Sequence, residues 1–398
     1  MLLQSFFSLM PMFACLFWAV LLLLDKQRNL PRKYLVFFLF ISFVNYLTHA
    51  SFFLFEHKLF AFLDNIWVFT SLALYPLYYY YIHLLTRDEK IDWKWLWILI
   101  PAFLLSLFSF VLYFLMSENE LRYFINYMYH HEEGSIYNFS TLVNLQILRT
   151  KVFKGIFIIQ VVLVVVYGFR LLTNYNKQLA EFYSNVEERD LTQFKHLLFA
   201  FLFASGVSII SSLMGKDFFI NKGHLLAIPS IFHTTFIYWI AFAGFNQHLT
   251  ISDFQKDIEE YRLQKKQLTK ALRTEQQTEE NEHSEERYDN IAKLLENIVV
   301  GEKLFTNPDL RISDLALRLN TNRSYISRTV NETMHTDFCS WVNNYRINHA
   351  KELMSNSEQS NLSLEKIAED SGFANLTTFY RVFKKHTKQT PGEYLKTL

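Results

Sequence analysis

The sequence has little cysteine, and long parts of it have no charge. Only two cysteines occur in 398 residues, Cys15 in an apolar stretch and Cys339 far downstream. Two such separated cysteines build neither a disulfide framework nor a zinc site of the cysteine-pair kind. The fold therefore does not depend on cross-links, and we predict neither a metal site nor a cofactor.

Motifs of catalysis are also missing from the sequence. It has no nucleophile elbow, no phosphate-binding loop and no paired-histidine zinc motif. The run His130, His131, Glu132 and Glu133 contains metal-binding residue types, but it matches no coordination geometry, which favours a solvated charge run. We therefore predict that the chain is not an enzyme and has no catalytic residues.

Charge is scarce in the first two-thirds of the chain. Charged residues make up 19% of the whole and the formal net charge is +1, but most of the 40 Phe and 22 Tyr lie before Asn246. Apolar stretches long enough to span a bilayer cover residues 6–24, 34–55, 59–85, 96–116, 152–172, 197–214 and 225–245. We predict a bundle of seven transmembrane helices, with the lipid bilayer as its surroundings.

The first apolar stretch has a second interpretation, a cleaved signal peptide. It has no basic segment before it and no small-residue cleavage site, which favours a transmembrane helix. Basic residues collect in cytoplasmic loops, and here they cluster after the first, third and fifth stretches: Lys26, Arg28, Arg32, Lys33, Arg87, Lys90, Lys94, Arg170, Lys177, Arg189 and Lys195. This pattern predicts an N-terminus outside the cell and a carboxyl-terminal part in the cytoplasm.

A few polar residues interrupt the apolar stretches. Ionisable groups within a membrane are costly and often mark a functional site. On that basis Asp64, Asn65 and His49 are candidate contacts for an unknown small-molecule or membrane signal. The alternative is that such residues only form hydrogen bonds between helices.

The sequence changes character after residue 248. Apolar residues return at Phe254, Ile258, Tyr261, Leu268 and Leu272, with Lys265 at one further position of the same heptad pattern. This pattern indicates either a short coiled coil that makes a homodimer or one amphipathic helix that extends the seventh span. Residues 273–287 contain no apolar residue and indicate a hinge. The predicted domains are residues 1–248, a connector at 249–287, and residues 288–398.

The last domain contains a helix-turn-helix pattern. Ser313 is predicted to cap a short helix that buries Leu315, Ala316 and Leu319, and after a turn at residues 320–322 a second helix buries Ile326 and Val330. Residues on the outward face of that second helix share a spacing that lets them enter a major groove. They are Ser324, Ser327, Arg328 and Asn331.

The same pattern returns about fifty-three residues later. Ser363 is predicted to cap a helix that buries Ile367 and Ala368, Gly372 permits a left-handed turn, and Phe379 and Phe383 face inward on a second reading helix. Its outward face carries Thr377, Tyr380, Arg381 and Lys384. A connecting helix with the apolar residues Phe338, Trp341, Val342 and Tyr345 should fix the two units relative to each other.

The segment IAEDSGFANLTTFYRVFKKHTKQTPGEYL resembles the second helix-turn-helix of the AraC/XylS family of bacterial transcription regulators. DLALRLNTNRSYISRTVN and RINHAKELM resemble the family's first unit and connecting helix. The resemblance implies a bipartite domain that binds double-stranded DNA, with base contacts at Ser324, Ser327, Arg328, Thr377, Tyr380 and Arg381. The predicted DNA-binding set also includes Arg323, Asn331, Leu376, Lys384 and Lys385, and the two lysines would meet phosphates. Lys388 departs from the family, which usually has glycine there.

These expectations combine into an all-α protein: a seven-helix transmembrane bundle, an amphipathic connector helix and a bipartite helix-turn-helix domain. The predicted function is a regulator in the bacterial cytoplasmic membrane that couples an extracytoplasmic or intramembrane signal to promoter binding, with RNA polymerase as a further partner. The alternative is a transporter-like bundle whose flux is reported by the DNA-binding domain. Internal repeats and broken helices, which are typical of transporters, are not evident in the sequence.

Overall fold

The computed structural model describes the chain except for residues 1, 27–28, 55–58, 88–89, 131–139, 188, 215–217, 220–221, 248–250, 274–283 and 356–361. Of the metal-type run His130 to Glu133, all but His130 lies outside the described residues. Within the described ranges the chain is helical and has no strand, apart from one isolated antiparallel bridge between Tyr183 and Arg311. The all-α prediction is confirmed.

Sixteen helices follow one another along the described chain. They are α1 (Leu2–Leu24), α2 (Leu30–Leu54), α3 (Phe60–Thr86), α4 (Ile100–Leu115), α5 (Glu118–His130), α6 (Thr141–Phe182), α7 (Thr192–Met214), α8 (Ala227–Asn246), α9 (Ile251–Arg273), α10 (Ser284–Gly301), α11 (Ile312–Arg318), α12 (Arg323–Arg328), α13 (Phe338–Ser355), α14 (Leu364–Asp370), α15 (Leu376–Thr387) and α16 (Pro391–Leu395). Short 3-10 turns precede α4 and α8, and another covers Leu304–Thr306.

The chain divides into two compact units. The first contains residues 1–173 and 191–252, and the second contains residues 174–190 and 253–398. The second unit thus includes α9 and the end of α6 together with the residues predicted to bind DNA. Seven helices, judged by length and composition over the described residues, are apolar enough to cross a membrane, and each overlaps one of the seven predicted stretches.

Buried polar side chains connect helices within the first unit. The Asn45 amide oxygen on α2 accepts hydrogen bonds from Thr70 (3.0 Å) and Ser71 (2.7 Å) on α3. Arg32 at the start of α2 donates from Nε to the Gly244 carbonyl in the last turn of α8 at 3.2 Å and also pairs with Asp25. The start of α2 and the end of α8 therefore lie on the same face of this unit.

The segment between the fourth and fifth predicted apolar stretches is largely helical in its described residues. It contains α5 and the beginning of α6, because Phe124 and Ile125 are buried against Phe60 and Tyr113. The α6 helix is also much longer than its apolar stretch, with 42 residues or roughly 63 Å at 1.5 Å per residue. A bilayer core is about 30 Å thick, so α6 is longer than one membrane crossing requires.

Candidate nucleic-acid interface

The first helix-turn-helix is formed by α11 and α12. Leu315, Ala316 and Ile326 are fully buried between them. The turn begins at Asn320, whose φ of 48° lies in the left-handed region. Its N–H donates to the Leu317 carbonyl (3.2 Å), and the Thr321 N–H donates to Ala316 (2.9 Å), which together form a Schellman cap. Asparagine tolerates this conformation better than most residues, so the predicted turn is confirmed.

The predicted cap at Ser313 is wrong. The residue that precedes α11 is Arg311, which is held in extended conformation by its bridge to Tyr183. The Asp314 carboxylate accepts the Arg311 N–H at 2.8 Å, and Ser313 is buried inside the first turn. The helix starts earlier than expected because a residue distant in sequence sets the backbone of Arg311.

The outward face of α12 has the composition expected of a reading helix. Ser324 and Arg328 are exposed and Ser327 is half-buried, and Asn331 is exposed in the π-helical turn Thr329–Thr333 that continues α12. Arg328 forms a surface ion pair with Glu332 (2.7 Å), and Asn331 donates to Ser327 at 3.3 Å. Exposed pairs of this kind contribute at most about 1 kcal/mol, so Arg328 can exchange Glu332 for another acceptor at little cost.

The second helix-turn-helix is formed by α14 and α15 and repeats these features. Ile367, Phe379 and Phe383 are fully buried. Gly372, with φ of 87°, donates to Glu369 (2.9 Å), and the Phe373 N–H donates to Ala368 (3.0 Å). This is the same Schellman cap as at Asn320. Ser363 accepts the Lys366 N–H at 3.2 Å, which confirms the predicted cap of α14.

The α15 helix presents a basic outward face. Thr377, Arg381, Lys384 and Lys385 are exposed, Leu376 is 38% exposed and Tyr380 is half-buried. Asn375 caps the helix by accepting the Thr378 N–H at 2.8 Å. The positions of Thr377 and Arg381 relative to the buried residues of α15 match those of Ser324 and Arg328 on α12. Each helix therefore offers an arginine to a groove, where a guanidinium can pair with guanine.

The α16 helix is short and capped, which its sequence Thr390-Pro391-Gly392-Glu393 favours. Thr390 accepts the Glu393 N–H (3.3 Å) and Glu393 accepts the Thr390 N–H (2.7 Å), with Pro391 at the first helical position. Lys388 just before it has φ of 66°. The residue that departs from the family thus adopts the left-handed conformation that glycine adopts more readily, at a cost of about 1–2 kcal/mol.

Comparison with known protein families agrees with this geometry. Residues 315–397 match the family described as helix-turn-helix domain. Because residues 288–398 also resemble the AraC/XylS family, we call this part of the chain the AraC-type domain.

Curated relatives match the same part of the chain. The uncharacterized HTH-type transcriptional regulator YtdP of Bacillus subtilis (strain 168) is 29% identical over 114 residues, which are 29% of this chain and 14% of that protein. An uncharacterized HTH-type transcriptional regulator of Staphylococcus aureus (strain COL) is 30% identical over 92 residues, 23% of this chain and 12% of that protein. The match therefore covers about an eighth of these relatives. No solved structure matches the chain.

The connecting helix α13 holds the two halves of the AraC-type domain together. Phe338, Trp341 and Val342 are buried as predicted, and Tyr345 stacks on Phe305 at 6.2 Å. Sequence reasoning missed Arg346, which is 1% exposed on the same helix. Its guanidinium donates to the backbone carbonyls of Phe305 (2.7 Å) and Asn307 (2.8 Å). Burial lowers the pKa of Arg346 to about 10, so it remains charged at neutral pH.

One predicted DNA-binding residue has a different environment. Arg323 at the start of α12 is half-buried, with its guanidinium 5.4 Å from the ring centroid of Phe182. Burial lowers the pKa of Arg323, and its backbone N–H donates to the Tyr261 hydroxyl at 3.1 Å. Its side chain therefore packs on the end of α6.

The candidate signal residues lie in the first unit. Asp64 pairs with Arg149 at 2.6 Å and accepts the Tyr113 hydroxyl at 2.8 Å, all three being buried. Asn65 is buried beside it, and its side-chain oxygen has no hydrogen-bond partner among the described residues. His49 packs near Trp67, with ring centroids 6.4 Å apart. The ion pair gives Asp64 a structural role, and signal binding by these residues stays a prediction.

Proposed function

We propose that this chain is a membrane-embedded transcription regulator whose AraC-type domain reads specific double-stranded DNA. The observation that carries the proposal is the pair of equivalent reading helices, α12 and α15, each with an exposed arginine and small polar neighbours. The α15 helix packs on α13, and so does the turn Thr329–Thr333 that follows α12. Two such helices held by one connecting helix suit successive turns of the major groove, about 34 Å apart.

The exterior of the first unit supports the membrane part of the proposal. Large apolar side chains face outward along its helices, among them Phe114 on α4, which is 79% exposed, and Ile159 on α6 and Leu213 on α7. Soluble proteins rarely expose apolar surface over such continuous areas. In a bilayer, lipid chains would cover these side chains and keep them out of water.

The proposed orientation has the N-terminus outside and the AraC-type domain in the cytoplasm. Arg32, which follows the first span, and the end of α8 lie on one face of the first unit, as this orientation requires. Asp64, Asn65 and the N-terminal part of α6 would then lie towards the outer face. We place signal detection there, because Asn65 has a buried side-chain oxygen without a hydrogen-bond partner in the described part of the chain, beside the Asp64–Arg149 pair.

We also propose that two chains pair through the connector helix, which requires that contacts within each chain be given up. Phe254 and Tyr261, two residues of the heptad pattern, are buried within the chain, with Phe254 packed on Phe182 at 5.4 Å. Pairing of two chains along this pattern would have to displace those contacts. Recruitment of RNA polymerase is a further proposed step, downstream of DNA binding.

Membrane topology tests the proposal directly. In a chain with Cys15→Ser and Cys339→Ser, the background for every cysteine variant described below as well, single cysteines are introduced as Glu118→Cys on α5 or Lys266→Cys on α9, both exposed positions. A membrane-impermeant maleimide should label Glu118→Cys in intact bacteria and Lys266→Cys only after permeabilisation. Labelling of Lys266→Cys in intact cells would contradict the cytoplasmic location of the DNA-binding domain.

A further inference from the structure

We call residues 174–190 the arm. The arm consists of the last residues of α6 and most of the link to α7, and it belongs to the unit that contains the AraC-type domain. The centre of the arm is Ser184, which is fully buried. Its N–H donates to the Leu310 carbonyl (3.0 Å), and its hydroxyl and carbonyl accept from Arg346 at 2.9 and 3.2 Å. The arm thus contributes to the same arginine cluster that holds the two halves of the domain together.

The connector helix α9 holds the arm from the other side. Asp257 on α9 accepts a hydrogen bond from the Tyr183 hydroxyl and pairs with Arg311 at 3.2 Å. It also lies 3.7 Å from Arg189, whose guanidinium stacks 4.1 Å from the Tyr183 ring centroid. Asp257 therefore joins the arm both to α9 and to Arg311, the residue that precedes α11.

The arm reaches both reading helices. At the start of α12, the side chain of Arg323 packs on Phe182. At the start of α15, the amide nitrogen of the capping residue Asn375 donates to the Glu187 carboxylate at 2.9 Å. Between them, the arm residues Lys177 and Glu181 line the same open cleft as Asn331. Three residues at or beside the DNA-reading surface therefore face the arm.

The arm occupies two polar side chains, Asn375 and Arg323, of the kind that contacts DNA phosphates. Arginine and asparagine side chains commonly contact phosphate oxygens and set the position of a protein on the duplex. The Glu187 carboxylate is an anion bound to a donor at the start of α15, and Arg323 is turned towards an aromatic ring. A phosphate that approaches Asn375 is repelled by the Glu187 carboxylate, because like charges repel. A phosphate that approaches the start of α12 finds the Arg323 guanidinium turned towards Phe182.

We propose that the arm is an autoinhibitory element: when docked, it occupies Asn375 and Arg323 through Glu187 and Phe182 and weakens DNA binding, and its release strengthens binding. The inference rests on the proposed DNA-binding function. The helix α6 supplies a means of release, because it is continuous from Arg149, the partner of Asp64, to Phe182 in the arm. A shift or rotation of α6 caused at Arg149 would move the arm.

A reversible cross-link tests the inference on the full chain in detergent. Tyr183 and Arg311 face each other in the antiparallel bridge, and residues so paired have Cα atoms about 4.5–5.5 Å apart, within the range of a disulfide. The double variant Tyr183→Cys with Arg311→Cys is therefore locked when oxidised and loses the Tyr183 contacts when reduced. The probe is a duplex of arbitrary sequence, about three helical turns long.

We expect the oxidised double variant to bind this duplex about tenfold more weakly than the same protein after reduction, within the usual range of allosteric coupling. Tyr183→Cys alone should show no such redox effect. Equal binding by the oxidised and reduced forms, or tighter binding by the oxidised form, would overturn the inference and leave DNA binding intact. Absence of binding in both forms would contradict the proposed function itself, and the inference with it.

A charge substitution tests the contact at α15 separately. Glu187→Gln removes the carboxylate charge and keeps an oxygen that can accept from Asn375, so duplex binding should become about threefold tighter through lost repulsion. Glu302→Gln makes the same charge change in the same unit, at a carboxylate paired with Arg318. If both variants tighten binding equally, the effect is one of total charge and the Glu187 contact is not inhibitory.

Discussion

Gly372→Ala is expected to destabilise the AraC-type domain by about 2–5 kcal/mol. Gly372 has φ of 87°, a left-handed conformation that costs an L-residue about 1–2 kcal/mol. A Cβ there would also lie 2.5 Å from the Phe305 carbonyl oxygen and 2.6 Å from the Thr306 Cα. Those are backbone atoms of the turn that Arg346 holds through the Phe305 carbonyl, so they cannot move aside easily, and overpacking adds about 1–3 kcal/mol.

The measurement is pulse proteolysis of the full chain in detergent across a urea series, following cleavage within residues 291–398. With a urea dependence of about 1–3 kcal/mol per molar, the midpoint should fall by about 1 M or more. Gly392→Ala is the matched control, because a Cβ at Gly392 meets nothing within 4 Å, and it should leave the midpoint nearly unchanged. Equal shifts in both variants would show that the turn at Gly372 is not under the constraint described.

Arg381→Ala is expected to remove discrimination at one base position, at a cost of about 1–3 kcal/mol on the preferred site. Arg381 lies on the exposed face of α15 at the position that matches Arg328 on α12, and a guanidinium can form two hydrogen bonds with guanine. Lys385→Ala should instead weaken binding to all duplexes alike and lower the dependence of affinity on salt concentration, because a lysine on a phosphate displaces counterions without reading sequence.

Affinities for the preferred duplex and for single-base variants, each measured at several salt concentrations, separate these two roles. Arg318→Ala provides the control, since Arg318 is exposed on α11, outside the reading faces, and pairs with Glu302. It should change binding by no more than about 0.5 kcal/mol. If Arg381→Ala lowers affinity for every duplex equally, Arg381 contacts the backbone and the assignment of α15 as the base-reading helix is wrong.

Much of the AraC-type domain could be predicted because its signals are local. The caps at Ser363 and Thr390 and the glycine turn each depend on residues within a few positions in sequence. The buried pairs followed from helical periodicity, and the apolar length of the spans followed from composition. Such features are set by neighbouring residues, so one sequence is enough to find them.

The missed features depend on residues that are distant in sequence. Asp64 and Arg149 are 85 positions apart, and Ser184 and Arg346 are 162 positions apart. Arg346 even lies inside a segment that resembles the AraC/XylS family, but its sequence neighbours do not indicate that it is buried against backbone carbonyls. Ser313 was misplaced for the same reason, because the bridge between Arg311 and Tyr183 sets where α11 begins. Pairing over such separations leaves no periodic pattern.

The account depends most on the claim that α12 and α15 read DNA as one rigid pair. Selection of random duplexes by the full chain in detergent tests this claim most directly. We predict enrichment of a site with two readable elements about 10 base pairs apart, one for each helix, and loss of the element that faces α15 in the Arg381→Ala variant. A duplex pool that remains random after repeated selection, or one enriched for a single element insensitive to Arg381, would contradict it.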